Sequence, residues 1–101
     1  MILAIDCGNT NTVFAVFGDD GARRGDWRSA THTDRTADEH GLWLMQLMRL
    51  ADIDPAHVRG AIIASVVPAA LFSLKSMCGK YFNCDPMIVG EPGIELGVKN
   101  L

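Results

Sequence analysis

Residues Met1 to Phe17 read MILAIDCGNTNTVFAVF, and this stretch contains the strand–turn–strand unit from which the fold is predicted. Ile2 to Cys7 is an almost continuous apolar run, typical of a buried strand, with a carboxylate near its end. Gly8 to Asn11 is turn material, because Gly and Asn tolerate the backbone dihedrals of tight hairpins. Thr12 to Phe17 is a second β-rich run. We therefore expect a hairpin with a carboxylate beside its turn.

A third strand is predicted next along the chain. Gly18 to Gly21 is a second turn signal, and Asp26 to Thr31 can form a strand to which Trp27 contributes the large apolar side chain. Three strands joined by short turns make an antiparallel meander.

The hydrophobic period then changes from that of strands to that of helices. Thr36 to Glu39 matches a capping box, in which the Thr hydroxyl and the Glu carboxylate each satisfy a free backbone N–H. A helix is predicted from about Asp38 to Ala51, and Asp54-Pro55 stops it. Its expected buried stripe consists of Leu44, Leu47, Met48 and Ala51.

The rest of the chain predicts a strand–helix–strand unit. Gly60 to Val67 contains an apolar run too short for a helix and is predicted as a central buried strand. Pro68 fits the first turn of a second helix, which ends near Gly79. Met87 to Val89 is a short last strand, and Gly90 to Gly93 opens a loop. One face of the second helix is expected to consist of Leu71, Leu74, Lys75 and Cys78.

The predicted order of elements is therefore βββαβαβ. An antiparallel three-strand start followed by crossover connections, which are almost always right-handed, gives a mixed five-stranded sheet with helices packed on it. This α/β topology is that of the ribonuclease H-like fold, the core module of actin, hexokinase and acetate kinase relatives.

The composition limits the class of protein. The chain has 101 residues, 49% hydrophobic and 21% charged, which is the balance of a single globular domain. Its formal net charge of -3 gives no reason to expect a nucleic-acid partner, because such binders usually carry a basic surplus. The apolar runs are interrupted well short of the roughly 20 residues of a membrane span. No basic leader precedes the first strand, so we expect no signal peptide, no membrane association and a cytoplasmic location.

The cysteines and histidines form no metal-binding or disulfide pattern. Cys7, Cys78 and Cys84 are odd in number and include no C-x-x-C pair, which argues against a disulfide framework and a zinc site. The histidines lie in polar contexts, and we expect them at the surface rather than as ligands; they are His32, His40 and His57.

The chemistry is expected at the first turn, Asp6 to Thr12 (DCGNTNT). Gly8 lets the backbone approach a phosphate closely, and the turn can direct several N–H groups at an anion. The side chains that follow add neutral donors. Asp6 is too negative to face phosphate directly, so its expected partner is a hydrated Mg²⁺ that bridges to a nucleotide. A plain hairpin explains the Gly and the Asn residues, but not a carboxylate at the end of the most apolar strand.

The same stretch resembles the D-x-G-N-T-N signature that begins type III pantothenate kinases. Trp27-Arg28 together with Thr36 to Glu39 resembles the family's W-R…R-T-A-D-E segment. Ile63 to Pro68 resembles its I-S-S-V-V-P junction. Tyr81-Phe82 and Met87 to Gly90 fall where the family has Y-F and a short strand, so the resemblance covers nearly the whole chain.

This resemblance implies transfer of the γ-phosphoryl group of ATP to the primary hydroxyl of pantothenate, the first step of coenzyme A biosynthesis. It also implies Mg²⁺, a monovalent cation (potassium or ammonium) and a homodimer. The family's hairpin binds the ATP phosphates, and Asp6 would position Mg-ATP through water. The ATP-binding residues that carry over are Asp6, Cys7, Gly8, Asn9, Thr10, Asn11, Thr12 and Val13.

In this family, the pantothenate site and the catalytic aspartate belong to a G-A-D-R motif, which does not occur up to Leu101. We therefore expect residues 1–101 to be the N-terminal ATPase-fold domain of a longer two-domain kinase, and to be inactive alone. The residues that bind pantothenate are not identified.

Two alternative functions are compatible with the same predicted fold. One is a nucleotide-sensing regulatory module without kinase activity. The other is a ribonuclease H-like nuclease, which is disfavoured because the strand from Gly60 to Val67 carries no carboxylate for a second metal.

Several residues keep more than one interpretation. Ser65 precedes a helix, so a turn or helix-entry role is favoured over a nucleophile. Arg28 and Arg35 are either solvated charges or neighbours of an anion. The large apolar residues belong to the core or to a dimer interface; they are Trp27, Trp43, Leu71, Phe72, Leu74, Tyr81 and Phe82.

Overall fold

A computed structural model describes residues 1–89 as five strands and two α-helices, with a 3₁₀ turn at Pro55–His57. The predicted order βββαβαβ is confirmed, whereas the predicted loop from Gly90 to Gly93 lies outside the described residues. The strands are β1 (Ile2–Cys7), β2 (Asn11–Phe17), β3 (Arg23–Ala30), β4 (Gly60–Ser65) and β5 (Met87–Val89), and the helices are α1 (Ala37–Leu50) and α2 (Pro68–Tyr81).

The strands form one mixed sheet in the order β3-β2-β1-β4-β5. The first three strands are the predicted antiparallel meander, while β4 joins β1 and β5 joins β4 in parallel. The first strand of the chain is therefore the central strand of the sheet. Its carboxyl end lies beside both the turn into β2 and the end of β4.

One face of the sheet carries the core. Alternate residues of each strand point to the same face, and in β1 these are Leu3, Ile5 and Cys7. Each fully buried aliphatic side chain contributes about 1.5–3 kcal/mol by leaving water. Both helices pack on this helix-covered face, where the buried side chains also include Phe14, Val16, Ile63, Leu44, Met48, Leu74 and Met77.

The opposite face, the open face, carries the other alternate residues of the same strands. Ala4 and Val13 are half-buried there, and Ile62 is exposed. Asp6 shares this face and is exposed. The carboxylate that the sequence singles out therefore points away from the core.

Helix α1 begins where the capping box predicts. The Thr36 hydroxyl accepts the Glu39 N–H at 3.1 Å, and the Glu39 carboxylate accepts the Thr36 N–H at 2.8 Å. The helix ends at Leu50, and Ala51 is an exposed C-cap rather than part of the buried stripe. Asp52 follows with φ of 61°, a left-handed conformation that ends the helix and that Asp tolerates better than most residues.

The two helices touch at Gly41 and Tyr81. A Cβ added at Gly41 would lie 2.5 Å from Cδ2 of the Tyr81 ring, so only glycine allows this approach. The Tyr81 hydroxyl and the Lys80 ammonium both donate to Oδ1 of Asp38. The hydrogen bond from Lys80, followed by that from Tyr81, lowers the pKa of Asp38. The end of α2 is thus fixed to the first turn of α1.

The expected surface position of His40 is wrong, the expected face of α2 differs from its buried face, and Phe72 was expected either in the core or in a dimer interface. His40 is buried, at 3% exposure, because it lies on the inner side of α1. Lys75 is exposed, since the buried face of α2 consists of Ala70, Leu74, Met77 and Cys78. Phe72 is 77% exposed and takes no part in the core of the described residues. Apolar residues surround α2, so their spacing did not define a single face.

The strand boundaries also differ from the prediction. Strand β3 is longer at its start, running from Arg23, and ends at Ala30 rather than Thr31. Strand β4 ends at Ser65, two residues before the predicted Val67. Asn11 belongs to β2, which reduces the turn between β1 and β2 to Gly8, Asn9 and Thr10.

The first residue is tied to the segment that precedes β4. The Met1 ammonium donates to the His57 carbonyl at 2.9 Å and lies 3.4 Å from the Asp19 carboxylate. Arg59 reaches the same carboxylate at 3.1 Å, and its backbone N–H donates to the Met1 carbonyl. These bonds fix the start of β1 beside the start of β4.

Candidate functional site

Asp6 occupies the point where three strands meet. It pairs with Val13 of β2 on one side and with Ala64 of β4 on the other. Both neighbours are uncharged, and no ion pair to Asp6 is found within residues 1–89. The carboxylate is therefore available to a ligand that approaches the open face.

Arg28 lies in the same lateral row as Asp6. Val13 pairs with Asp6 on one side and with Arg28 of β3 on the other, and cross-strand partners point to one face of a sheet. Neighbouring strands are about 4.8 Å apart, so the two backbones are separated by roughly 10 Å. The Asp6 carboxylate and the Arg28 guanidinium thus lie on either side of a strip of the open face centred on Val13.

The turn between β1 and β2 exposes its backbone. Gly8 N–H donates to the Asn11 carbonyl at 2.9 Å, which leaves Asn9 and Thr10 at the exposed tip. No acceptor for the N–H groups of Asn9 and Thr10 is found in the part of the chain that the structure describes. Free N–H groups beside one another in a turn can bind an anion.

Gly8 is not required by the backbone. Its φ is not positive, and a Cβ built there meets only the Asn11 carbonyl oxygen, at the ordinary contact distance of 3.4 Å. The fold would therefore accept alanine at this position. The missing side chain leaves space at the turn, which is where a phosphate would have to approach.

Thr31, the residue that follows β3, stabilises this turn. Its hydroxyl donates to the Gly8 carbonyl at 2.7 Å and lies 2.9 Å from the Thr12 hydroxyl. Its backbone N–H donates to the Thr10 carbonyl at 2.9 Å. Thr31 is not among the residues that the sequence pattern assigns to the site. The meander places the end of β3 beside the first turn, and this neighbourhood was the signal that could have identified the residue.

The eight predicted ATP-binding residues fall into two groups. Cys7 and Thr12 are buried on the helix-covered face, where the Thr12 hydroxyl oxygen lies 3.4 Å from the Cys7 sulfur. The exposed residues are Asp6, Asn9, Thr10 and Asn11, while Gly8 and Val13 are half-buried. The structure thus brings the predicted residues to one hairpin, but it turns the side chains of Cys7 and Thr12 inward.

Arg35 lies in the loop that precedes α1, close to His32 and to the buried His40. Its Nη2 donates to Nε2 of His32 at 3.1 Å, and its Nη1 is buried without a partner among residues 1–89. Both ring nitrogens of His40 are likewise buried and unpartnered there. Burial, together with the neighbouring charges of Arg35 and His32, lowers the pKa of His40 to about 4. His40 is therefore neutral at neutral pH.

The other residues that the sequence left open, Ser65, Trp43 and Trp27, make contacts that stabilise the fold. The Ser65 hydroxyl accepts the Val67 N–H at 3.0 Å, which is the predicted helix-entry role. The Trp43 ring packs edge-on against Phe14, with centroids 5.3 Å apart. Trp27 is half-buried against the core. Within residues 1–89, His, Cys, Asp and Glu do not gather in groups of three that could hold a metal ion.

The family model described as type III pantothenate kinase matches residues 2–101. This chain belongs to the type III pantothenate kinase family. The type III pantothenate kinase of Rhodospirillum rubrum is 56% identical over 98 residues, covering 97% of this chain. That of Paramagnetospirillum magneticum is 52% identical over 101 residues, covering 100% of this chain. The chain spans 38% of the length of either relative.

The fold of this member of the type III pantothenate kinase family also has a relative among solved structures. A crystal structure assigned as a 2-dehydro-3-deoxygalactonokinase from Sinorhizobium meliloti matches 70% of this chain and 23% of its own, with a TM-score of 0.50 and 23% identity. The likeness concerns the fold, and the predicted ribonuclease H-like, actin/hexokinase-like fold is confirmed. Neither helix of residues 1–89 has the length and apolar character needed to cross a membrane.

Proposed function

We propose that this chain is the ATP-phosphate-binding part of an enzyme that phosphorylates pantothenate with ATP, the first step of coenzyme A biosynthesis. The observation that carries the proposal is the turn at Gly8. The N–H groups of Asn9 and Thr10 have no acceptor within residues 1–89, Gly8 is dispensable to the fold, and Asp6 lies beside the turn on the open face. The names of the relatives supply the acceptor.

The residues of the hairpin contribute to phosphate binding in different ways. The N–H groups of Asn9 and Thr10 donate to phosphate oxygens, and the exposed amide and hydroxyl side chains add neutral donors. The half-buried Val13 forms the apolar floor between Asp6 and Arg28. Cys7 and Thr12 contribute through the backbone, because their side chains hold the base of the hairpin. Arg28 adds a positive charge for the phosphates on the same face.

Asp6 fits a magnesium ion. The ion is usually held by one or two carboxylates together with substrate phosphates and waters, and a single exposed carboxylate next to a phosphate-binding turn meets this demand. When bound, Mg²⁺ neutralises charge on the phosphates. In the proposal, Asp6 acts through a coordinated water. The monovalent cation, potassium or ammonium, enters the proposal through the family resemblance alone.

Phosphoryl transfer depends mainly on alignment and on stabilising charge that spreads over the transferred group. Residues 1–89 can align the ATP phosphates against a rigid central strand and offer fixed N–H donors to the developing charge. The pantothenate site and the residue that takes the hydroxyl proton would belong to the remaining length that the relatives have. We propose that residues 1–101 are the N-terminal domain of a two-domain, cytoplasmic, homodimeric kinase.

The test is ADP release by the purified full-length protein, with ATP, Mg²⁺ and potassium, in the presence and absence of pantothenate. The proposal expects turnover that depends on pantothenate. ATP binding without such turnover would reject it and favour the nucleotide-sensing regulatory module. Size-exclusion chromatography with light scattering tests the homodimer in the same preparation.

A further inference from the structure

Thr31 makes three hydrogen bonds around the turn between β1 and β2, although it lies outside the D-x-G-N-T-N motif. Its hydroxyl binds the Gly8 carbonyl at 2.7 Å and the Thr12 hydroxyl at 2.9 Å, and its N–H binds the Thr10 carbonyl at 2.9 Å. Because the Thr31 hydroxyl donates to Gly8, the Thr12 hydroxyl donates to Thr31, and Thr12 and Cys7 are both buried side by side on the helix-covered face. The Thr31 hydroxyl therefore reaches the hairpin from that face.

The bond to Gly8 determines which way the next N–H points. A trans peptide is planar, so the carbonyl of one residue and the N–H of the following residue point in opposite directions. Because the Gly8 carbonyl is drawn toward the helix-covered face, the Asn9 N–H is directed to the open face. The Asp6 carboxylate stands on that face, and the Asn9 N–H has no acceptor among the described residues.

The backbone hydrogen bond of Thr31 orients a second peptide of the turn, Thr10–Asn11. The Thr10 carbonyl accepts the Thr31 N–H, so the Asn11 N–H points away from β3. Two of the three peptide planes between Gly8 and Asn11, Gly8–Asn9 and Thr10–Asn11, are thus oriented by one residue. A turn whose amides are fixed before the ligand arrives avoids the entropic cost of ordering them on binding.

We infer that Thr31 is a positioning residue of the ATP site, which turns the Gly8–Asn9 peptide so that its N–H meets a phosphate oxygen. The inference rests on the proposed function, because it takes the hairpin to be the phosphate site. Thr31 acts through the hairpin and does not itself touch the nucleotide. Its hydroxyl sets the direction of the donor, and its N–H sets the separation of β3 from the turn.

Three variants of the full-length protein separate this role from packing. Thr31→Val keeps the shape and the backbone N–H but removes the hydroxyl. Thr31→Ser keeps the hydroxyl and removes the methyl group. Ser29→Ala is the matched control, because Ser29 lies two residues earlier in β3 and its hydroxyl binds only the adjacent Ala30 carbonyl. Isothermal titration with ATP and Mg²⁺ measures the Kd, and thermal unfolding measures the Tm.

The expected result is a Kd for ATP that rises about tenfold in Thr31→Val, the effect of losing one oriented hydrogen bond of roughly 1.4 kcal/mol. Thr31→Ser and Ser29→Ala should stay within about twofold of the wild type on the same energy scale. An unchanged Kd in Thr31→Val, or an equal loss in Thr31→Ser, would overturn the inference. Should Thr31→Val not fold, Thr31→Ala against Thr31→Ser gives the same comparison. Failure of the wild type to bind ATP would reject the proposed function itself.

Discussion

The imidazole of His40 lies against the ring of Phe14, with centroids 6.4 Å apart, and neither of its ring nitrogens has a partner among the described residues. Its pKa is lowered to about 4 by burial and by the charges of Arg35 and His32, against a partial opposing effect of Glu39. In the unfolded chain a histidine titrates near 6.5. The folded protein therefore holds His40 in its neutral form, and protonation of His40 favours the unfolded chain.

The first prediction follows from this shift. The unfolded state takes up a proton below pH 6.5 while folded His40 stays neutral, so stability present above that pH is lost as the pH falls toward 4. The free energy of unfolding should decrease by roughly 2–3 kcal/mol over this range on account of His40. Urea unfolding between pH 4.5 and 7.5 measures it. In His40→Leu, the free energy of unfolding should depend less on pH than in the wild type. In the control His57→Gln, at an exposed position, the pH dependence should be that of the wild type. Equal pH dependence in wild type and His40→Leu would contradict the prediction.

The second prediction concerns Asp6. Its carboxylate is exposed and makes no ion pair within residues 1–89, so Asp6→Asn should leave the Tm of the full-length protein within a few degrees. Loss of the charge that positions the metal should lower kcat/KM about 100-fold or more. ADP-release kinetics and thermal unfolding measure the two effects. The control is Asp26→Asn, an exposed carboxylate of β3 on the same face. Near-normal turnover in Asp6→Asn would remove its proposed role.

The third prediction separates ligand binding from folding at Gly8. Because a Cβ there meets nothing closer than 3.4 Å and φ is not positive, Gly8→Ala should not destabilise the protein. It should even gain about 0.4–1 kcal/mol, since alanine restricts the unfolded chain more than glycine does. The added methyl should nevertheless obstruct a phosphate and weaken ATP binding, and Gly8→Val more so. Calorimetry with ATP together with urea unfolding tests this. Unchanged affinity would mean that the hairpin is only a turn.

The fourth prediction compares two glycines inside helices. Gly41→Ala would press a methyl group into the Tyr81 ring, whose hydroxyl is held by Asp38, so overpacking of about 1–3 kcal/mol outweighs the gain in helix propensity. At Gly79, an added methyl group meets no atom of residues 1–89 within 4 Å, so Gly79→Ala should stabilise α2 by roughly 0.8 kcal/mol. Urea unfolding of the two variants should therefore shift in opposite directions. Shifts of the same sign would show that the contact at Gly41 is not tight.

The fifth prediction is that residues 1–101 alone will not phosphorylate pantothenate. Transfer requires nucleotide, metal and acceptor hydroxyl to be aligned together, and this chain offers one side of that arrangement. A coupled ADP-release assay with the purified chain, ATP, Mg²⁺, potassium and pantothenate measures it, beside the full-length protein as positive control. Turnover that depends on pantothenate would show that the catalytic residues lie within these residues.

The order of the elements could be predicted from sequence because each signal was local. The turn at Gly8, the capping box at Thr36 and the proline at the start of α2 each act through neighbouring residues. The central position of β1 was not predicted; the sequence indicated Gly60 to Val67 as a central strand, and β4 lies inside the sheet between β1 and β5.

The burial of single side chains was less predictable. His40 has polar neighbours in sequence, but its exposure depends on how α1 is rotated about its axis against Phe14. Lys75 was misplaced because α2 is apolar on more than one side, so its period defines no unique face. The role of Thr31 could not be predicted, because its hydrogen bonds depend on the register between β2 and β3, which shifts at Val16 and Phe17.

The bonds of the Met1 amino group bear on how the protein should be produced. A peptide added in front of Met1 turns this ammonium into an uncharged amide and removes its attraction to Asp19. The added residues would also have to leave through the surface depression that Met1 shares with His57 and Arg59. An affinity tag placed there would disturb the start of the central strand, whose other end carries Asp6. Purification handles therefore belong at the far end of the full-length protein, or must be cleaved so that Met1 again comes first.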